Sequence, residues 1–122
     1  MRASAEDGFR RLALGDQHLI SMACDLGGAP SDDLPRLDAR TEALIRIGAL
    51  VALDAPASSF RAEVDSALRA GARLTDLVAV LIGVAALVGS ARVVSAAPRI
   101  ALAAGYDVEA ALEEMDPVHG PA

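Results

Sequence analysis

In the stretch VALDAPASSFRAEV, residues 51–64, helical periodicity stops at a turn and resumes, and Ser58, Ser59 and Glu63 gather in the first turns of the helix that follows. Free backbone N–H groups and the helix dipole favour an anion at such a place, and Glu63 could give or take a proton there. The plainer reading is an ordinary helix start, capped by Asp54 with Pro56 or by one of the serines. Arg46 is the second candidate. It interrupts the apolar run ALIRIGALVAL, and a guanidinium buried there needs a carboxylate, which a substrate could supply. Alternatively Glu42, four residues earlier, or an acid from another subunit pairs with it.

Other reactive residue types are sparse. His18 and His119 are the only histidines, and neither has the acidic or cysteine neighbours of a metal site or nucleophilic triad, so surface roles are expected and no metal. Cys24 is the single cysteine, which excludes an intrachain disulfide, a Cys-x-x-Cys redox pair and a zinc ribbon, and reads as a small core residue in a reducing compartment. All eleven basic residues are arginine, so Schiff-base chemistry and a P-loop lysine are ruled out; the bias otherwise suggests a GC-rich genome. Gly83, Gly89 and Gly105 form no phosphate loop, since no strand precedes them.

The elements that would position these residues read as helices throughout. Glycine and proline divide the chain into helical lengths, and no segment sustains the alternation of a strand. A short helix around Phe9 and Leu12 starts at Ser4 or Asp7; Asp16 caps a second, carrying Leu19, Ile20, Ala23 and Leu26 and closed by Gly27 and Gly28. GGAPSDDLPR is a loop. Asp38 caps a helix to about Leu53 with Leu44, Ile47, Gly48 and Val51 on one face, while Ile45, Ala49, Leu50 and Leu53 make its other sides apolar too. The next, about Ala57 to Ala70, buries Phe60, Val64, Ala67 and Leu68 and turns Arg61, Asp65 and Arg69 outward, and Gly71 ends it. Thr75 caps the most apolar helix, Leu77 to about Val88, expected at the centre of the fold. Beyond Gly89 and Ser90 a helix runs to Gly105, kinked or restarted at Pro98. Asp107 caps a last short helix before Asp116 and Pro117.

The whole is bounded by composition. A chain of 122 residues fits one domain, and the 53% apolar share with hardly any aromatics implies many small side chains in close contact. A formal net charge of -6 with no basic stripe argues against nucleic acid. The N-terminus has charges where a signal peptide needs an apolar centre, and the longest apolar run, Leu77 to Ala91, is too short to span a membrane, so the expected address is a bacterial cytoplasm. A helix apolar nearly all round, such as Asp38 to Leu53, implies cover from a partner subunit.

The ordering of these features carries a resemblance. The run from Leu37 to Ala97, with the opening LDARTEALIRIGALVAL, the helix-turn ALRAGARLTDLVAVLI and the small-residue AALVGSARVVSAA, resembles the carboxymuconolactone decarboxylase family, which shares its fold with alkylhydroperoxidase D-like proteins. The resemblance implies an all-α single-domain bundle of about six helices, with N-terminal helices and loop over 1–36, a family-like core over 37–105 and a short helix and tail over 106–122. It also implies homotrimers or homohexamers. The peroxidase-like branch carries Cys-x-x-Cys and a histidine at places that here fall on Pro56, Ser59 and Glu63, so a dithiol mechanism is not expected. The decarboxylase branch keeps the histidine, where this chain has Glu63. A carboxyl group can take over a histidine's proton transfer where burial favours its protonated form.

Two readings of function follow. In the first, the chain is a cofactor-free lyase or isomerase of a small acidic metabolite, Glu63 moving the proton, Arg46 holding the carboxylate, and Ser58 and Ser59 lining the site. In the second, it is a non-catalytic oligomer that binds a small molecule or a protein partner.

Overall fold

The computed structural model describes residues 2–25 and 35–115, which form seven helices and no strand. They fall into two compact units, residues 1–35 and 36–122. In the first unit, α1 (Arg2–Ala13) and α2 (Gln17–Cys24) pack together across a short turn. Asp16 caps α2 as its position predicts, its carboxylate accepting the Leu19 N–H at 3.1 Å and the Arg11 guanidinium at 2.9 Å. α2 ends at Cys24, short of the expected Leu26, which with the expected closure by Gly27 and Gly28 lies outside the described residues, as do the segment from Ala29 to Leu34, the Asp116–Pro117 stop and His119.

The second unit holds α3 (Ala39–Leu53), α4 (Ala57–Arg69), α5 (Leu74–Val88), α6 (Ser90–Ala103) and α7 (Val108–Met115). Asp38 starts α3: its carboxylate accepts the Thr41 N–H at 3.2 Å and the Thr41 hydroxyl at 2.6 Å. α3 packs on α4 and α5, and α6 closes against both, so the core is a seam shared by four helices. Ile47 and Val51 of α3 and Phe60 and Val64 of α4 are fully buried, joined by Leu77, Ala96 and Ile100. Gly48 lets α3 and α5 approach closely, since a Cβ there would lie 3.2 Å from Val84 Cγ1. Small side chains thus set the spacing, as the composition implies.

Three sequence expectations change. α5 starts at Leu74 and not after Thr75; the free N–H at its entrance, that of Arg73, is satisfied by the Asp76 carboxylate at 2.8 Å, which leaves Thr75 exposed in the first turn. α6 runs continuously from Ser90 to Ala103 through Pro98, so of the two alternatives there no new helix begins. Finally, α5 is not a buried helix within this chain. Only Leu77 is buried, and Val78, Ile82 and Leu87 are 55%, 71% and 89% exposed. No described helix is long and apolar enough to cross a membrane.

Candidate functional site

The turn between α3 and α4 is three residues long, Asp54, Ala55 and Pro56. Asp54 closes α3 in the left-handed conformation, φ 52 and ψ 49, and the Ala55 N–H reaches back to the Leu50 carbonyl at 3.1 Å. Ala55 is buried, which draws the turn onto the core. Pro56 then takes the N-cap position of α4, its carbonyl accepting the Ser59 N–H at 3.0 Å. No side chain caps this helix, so neither serine nor Asp54 does the capping that the sequence invites. The corner is instead held from α6. Arg99 Nη1 donates to the Ala55 carbonyl at 2.7 Å and to Asp54 Oδ1 at 3.4 Å, and the Ser95 hydroxyl donates to the same oxygen at 3.4 Å.

Phe60 roots the first turn of α4 in the core, and Glu63 follows one turn on, beside buried Val64. Glu63 is half-buried, and its Oε2 has no exposed surface and no hydrogen-bond partner. A buried carboxylate oxygen left this way costs about 1–3 kcal/mol relative to a satisfied one, so its presence calls for an explanation outside packing. Ser59 is half-buried and Ser58 exposed, and neither hydroxyl caps the helix.

Arg46 lies on the flank of α3, its side chain about one-third exposed, 3.5 Å from Glu42. Glu42 is held more tightly by Arg36, whose Nη2 reaches both carboxylate oxygens at 2.9 Å. The Arg36 guanidinium beside Glu42 holds that carboxyl below its ordinary range, and Glu42 in turn raises Arg36. Two guanidinium groups therefore share one carboxylate, and the trio keeps a surplus positive charge with Arg46 its more loosely held member. The pairing of Arg46 with Glu42 is the plainer alternative in the sequence; the Arg36 clamp, made from the segment just before α3, is not anticipated there.

Two concavities flank these residues. An open groove of about 680 Å³ runs between α3 and α5, lined by Thr41, Leu44, Gly48, Val80, Val84 and Leu87 among others, with almost no polar surface. A smaller cleft of about 400 Å³ is lined by Ser58, Arg61, Ala62, Asp65 and Ala103. Ser58 alone of the four candidate residues lines either; Arg46, Ser59 and Glu63 line neither. Among the described residues no three His, Cys, Asp or Glu side chains come together as metal ligands. Cys24 is exposed on α2, not packed in a core.

No curated protein and no solved structure matches the chain. A family model does: the carboxymuconolactone decarboxylase family matches residues 28–103, which takes in the whole of α3 to α6, the corner and Glu63. The match covers well over half of the chain, and this protein belongs to the carboxymuconolactone decarboxylase family.

Proposed function

We propose that this chain is a cytoplasmic, cofactor-free lyase or isomerase acting on a small acidic metabolite, and that it works as a homotrimer or homohexamer. The observation that carries the reading is Glu63 Oε2, buried and without a partner on α4 directly after the corner. An acceptor kept from water and from the protein's own donors is suited to exchange a proton with a bound substrate. In a decarboxylation the substrate carboxylate leaves as CO₂, its electron pair moves through the adjacent carbon to a carbonyl oxygen, and Glu63 delivers a proton to the resulting enolate carbon. Arg46 holds a second carboxylate by charge-assisted hydrogen bonds, drawing on the surplus positive charge of the Arg36–Glu42–Arg46 trio. Ser58 and Ser59 supply hydroxyl groups at the helix start. Hydroperoxide turnover with a dithiol reductant is not expected, because Pro56 and Ser59 stand where a thiol pair would be needed.

The test is a screen of γ-lactone acids and β-keto acids by calorimetry and absorbance, repeated with two variants. Glu63→Gln keeps the shape and removes the proton, so turnover should fall by roughly 10² to 10⁴ with binding nearly intact. Arg46→Ala should weaken binding with a smaller effect on turnover at saturation. A substrate turned over equally well by Glu63→Gln overturns the catalytic reading and leaves a non-catalytic binding protein.

A further inference from the structure

Arg46 and Glu63 line neither concavity, yet helical geometry puts them on one flank of the α3–α4 pair. On α3, Gly48 meets Val80 and Val84 of α5, and Arg46, two residues earlier, lies about 160° away around the helix. On α4, Ala103 of α6 borders the cleft that Arg61 and Asp65 line, and Glu63, two residues from each of them, again lies about 160° away. The helices α3, α4, α6 and α5 close a ring, each packed on the next. The side of α3 turned from α5 and the side of α4 turned from α6 are therefore the same side. The two residues also stand level. Arg46 comes eight residues before Asp54 and Glu63 seven after Pro56, so at about 1.5 Å a residue both lie roughly 10–12 Å from the corner.

Each has bonding capacity that the fold leaves unused. Arg46 is held at 3.5 Å by a carboxylate that Arg36 already grips at 2.9 Å, and so keeps N–H donors for another anion. Glu63 Oε2 keeps an acceptor without a donor. We propose that the pair holds one ligand between them, a short hydroxy acid whose carboxylate meets Arg46 and whose O–H donates to Glu63 Oε2. A guanidinium has only donors and takes the carboxylate; an ionised carboxyl has only acceptors, repels a second carboxylate and takes the O–H. The donor is neutral, because an ammonium brought to an oxygen with no exposed surface would have to shed its water. Glu63 as a whole is half-buried, and a turn about its last side-chain torsion, which is soft, presents Oε2 to the flank. The ligand is short, since packed helices stand about 8–10 Å apart and the arginine spans much of that gap. The inference rests on the reading above of Arg46 and Glu63 as the substrate's contacts and names what they hold; the enol that a decarboxylation leaves carries the same O–H.

Three acids with one carbon skeleton test it: 3-hydroxybutyrate, butyrate and 3-aminobutyrate, titrated at millimolar concentration and followed by NMR chemical shifts. The wild type should bind the hydroxy acid roughly ten-fold tighter than butyrate, the worth of one hydrogen bond to a charged group. Glu63→Leu should erase that difference, and Arg46→Gln should weaken both acids by roughly ten-fold. Glu63→Met stands in should Glu63→Leu lose the helical circular dichroism of the wild type. A wild type that binds none of the three, shows no hydroxyl preference or prefers the amine overturns the inference, as does a hydroxyl preference that survives the Glu63 variants. Any of these results beside a turnover that Glu63→Gln abolishes discards the hydroxy-acid site and keeps the lyase reading. A hydroxyl preference that vanishes in the Glu63 variants, with no acid turned over, keeps the site and discards the lyase.

Discussion

Asp54 occupies a position that three other helix ends of this protein give to glycine. Gly15, Gly71 and Gly105 each take positive φ after α1, α4 and α6, and in each case the next N–H bonds back across the last turn, at 2.8–2.9 Å. The end of α3 makes the same bond from Ala55 to Leu50, yet its left-handed residue is Asp54. A side chain there costs roughly 1–2 kcal/mol, less for Asp than for most residues. What the side chain gains is a link from the corner to Ser95 and Arg99, half-exposed and so worth little as an ion pair. The two effects are of similar size. Asp54→Gly should therefore stay within about 1 kcal/mol of the wild type in urea unfolding, whereas Asp54→Val, with strain and no link, should lose about 1–3 kcal/mol. An Asp54→Gly loss above about 2 kcal/mol would mean that the Arg99 link, and not the backbone, sets the corner.

At the scale of elements, one residue joins α5 to α6. Gly89 has φ 88 and ψ 159, a region open only to glycine, and its N–H closes α5 on the Ala85 carbonyl at 2.9 Å while its carbonyl opens α6. A Cβ at Gly89 would touch nothing within 4 Å, so the cost of Gly89→Ala is purely conformational, about 1–3 kcal/mol. Denaturant unfolding checks this, and a loss below about 0.5 kcal/mol would show that the link can rearrange. Boundaries of this kind were the legible part of the fold. Asp16, Asp38 and Asp107 cap where their positions say, because an N-cap depends on residues within one turn. The start of α5 is not legible in the same way, because Thr75 has the cap's chemistry while the working carboxylate, Asp76, sits one residue on and bonds backwards. Arg99 left no trace in the sequence: it meets Ala55 across 44 residues, and no periodicity encodes a tertiary contact. Glu63 and Arg46 stand out by type and neighbours, but their burial and partners belong to the packing of α3 and α4.

For the molecule as a whole, pH sets two effects against each other. The net charge of -6 disfavours the compact state by self-repulsion, which shrinks as pH falls toward the isoelectric point near 4.7 and returns with positive sign below it. Against it stand four carboxyl groups held below their ordinary values: Asp16 by the Arg11 guanidinium, Asp38 by the Thr41 hydroxyl, Glu42 by the Arg36 guanidinium, and Asp76 by the Arg73 backbone N–H. A carboxyl whose value is lower folded than unfolded contributes its full stability above the unfolded value, 3.8 for Asp and 4.5 for Glu, and loses it as pH falls through the lower folded one. Three of the four sit at helix starts, so their protonation loosens α2, α3 and α5 together. The thermal midpoint, followed by circular dichroism at one chain concentration because assembly would shift it by mass action, should stay level from pH 7 to 5 and then fall steadily below about pH 4.5. Glu42→Gln removes one of the four and should make that fall shallower. A midpoint that stays level down to about pH 3 would show that these four carboxylates, the Arg36 clamp on Glu42 included, add nothing measurable to the stability of the fold.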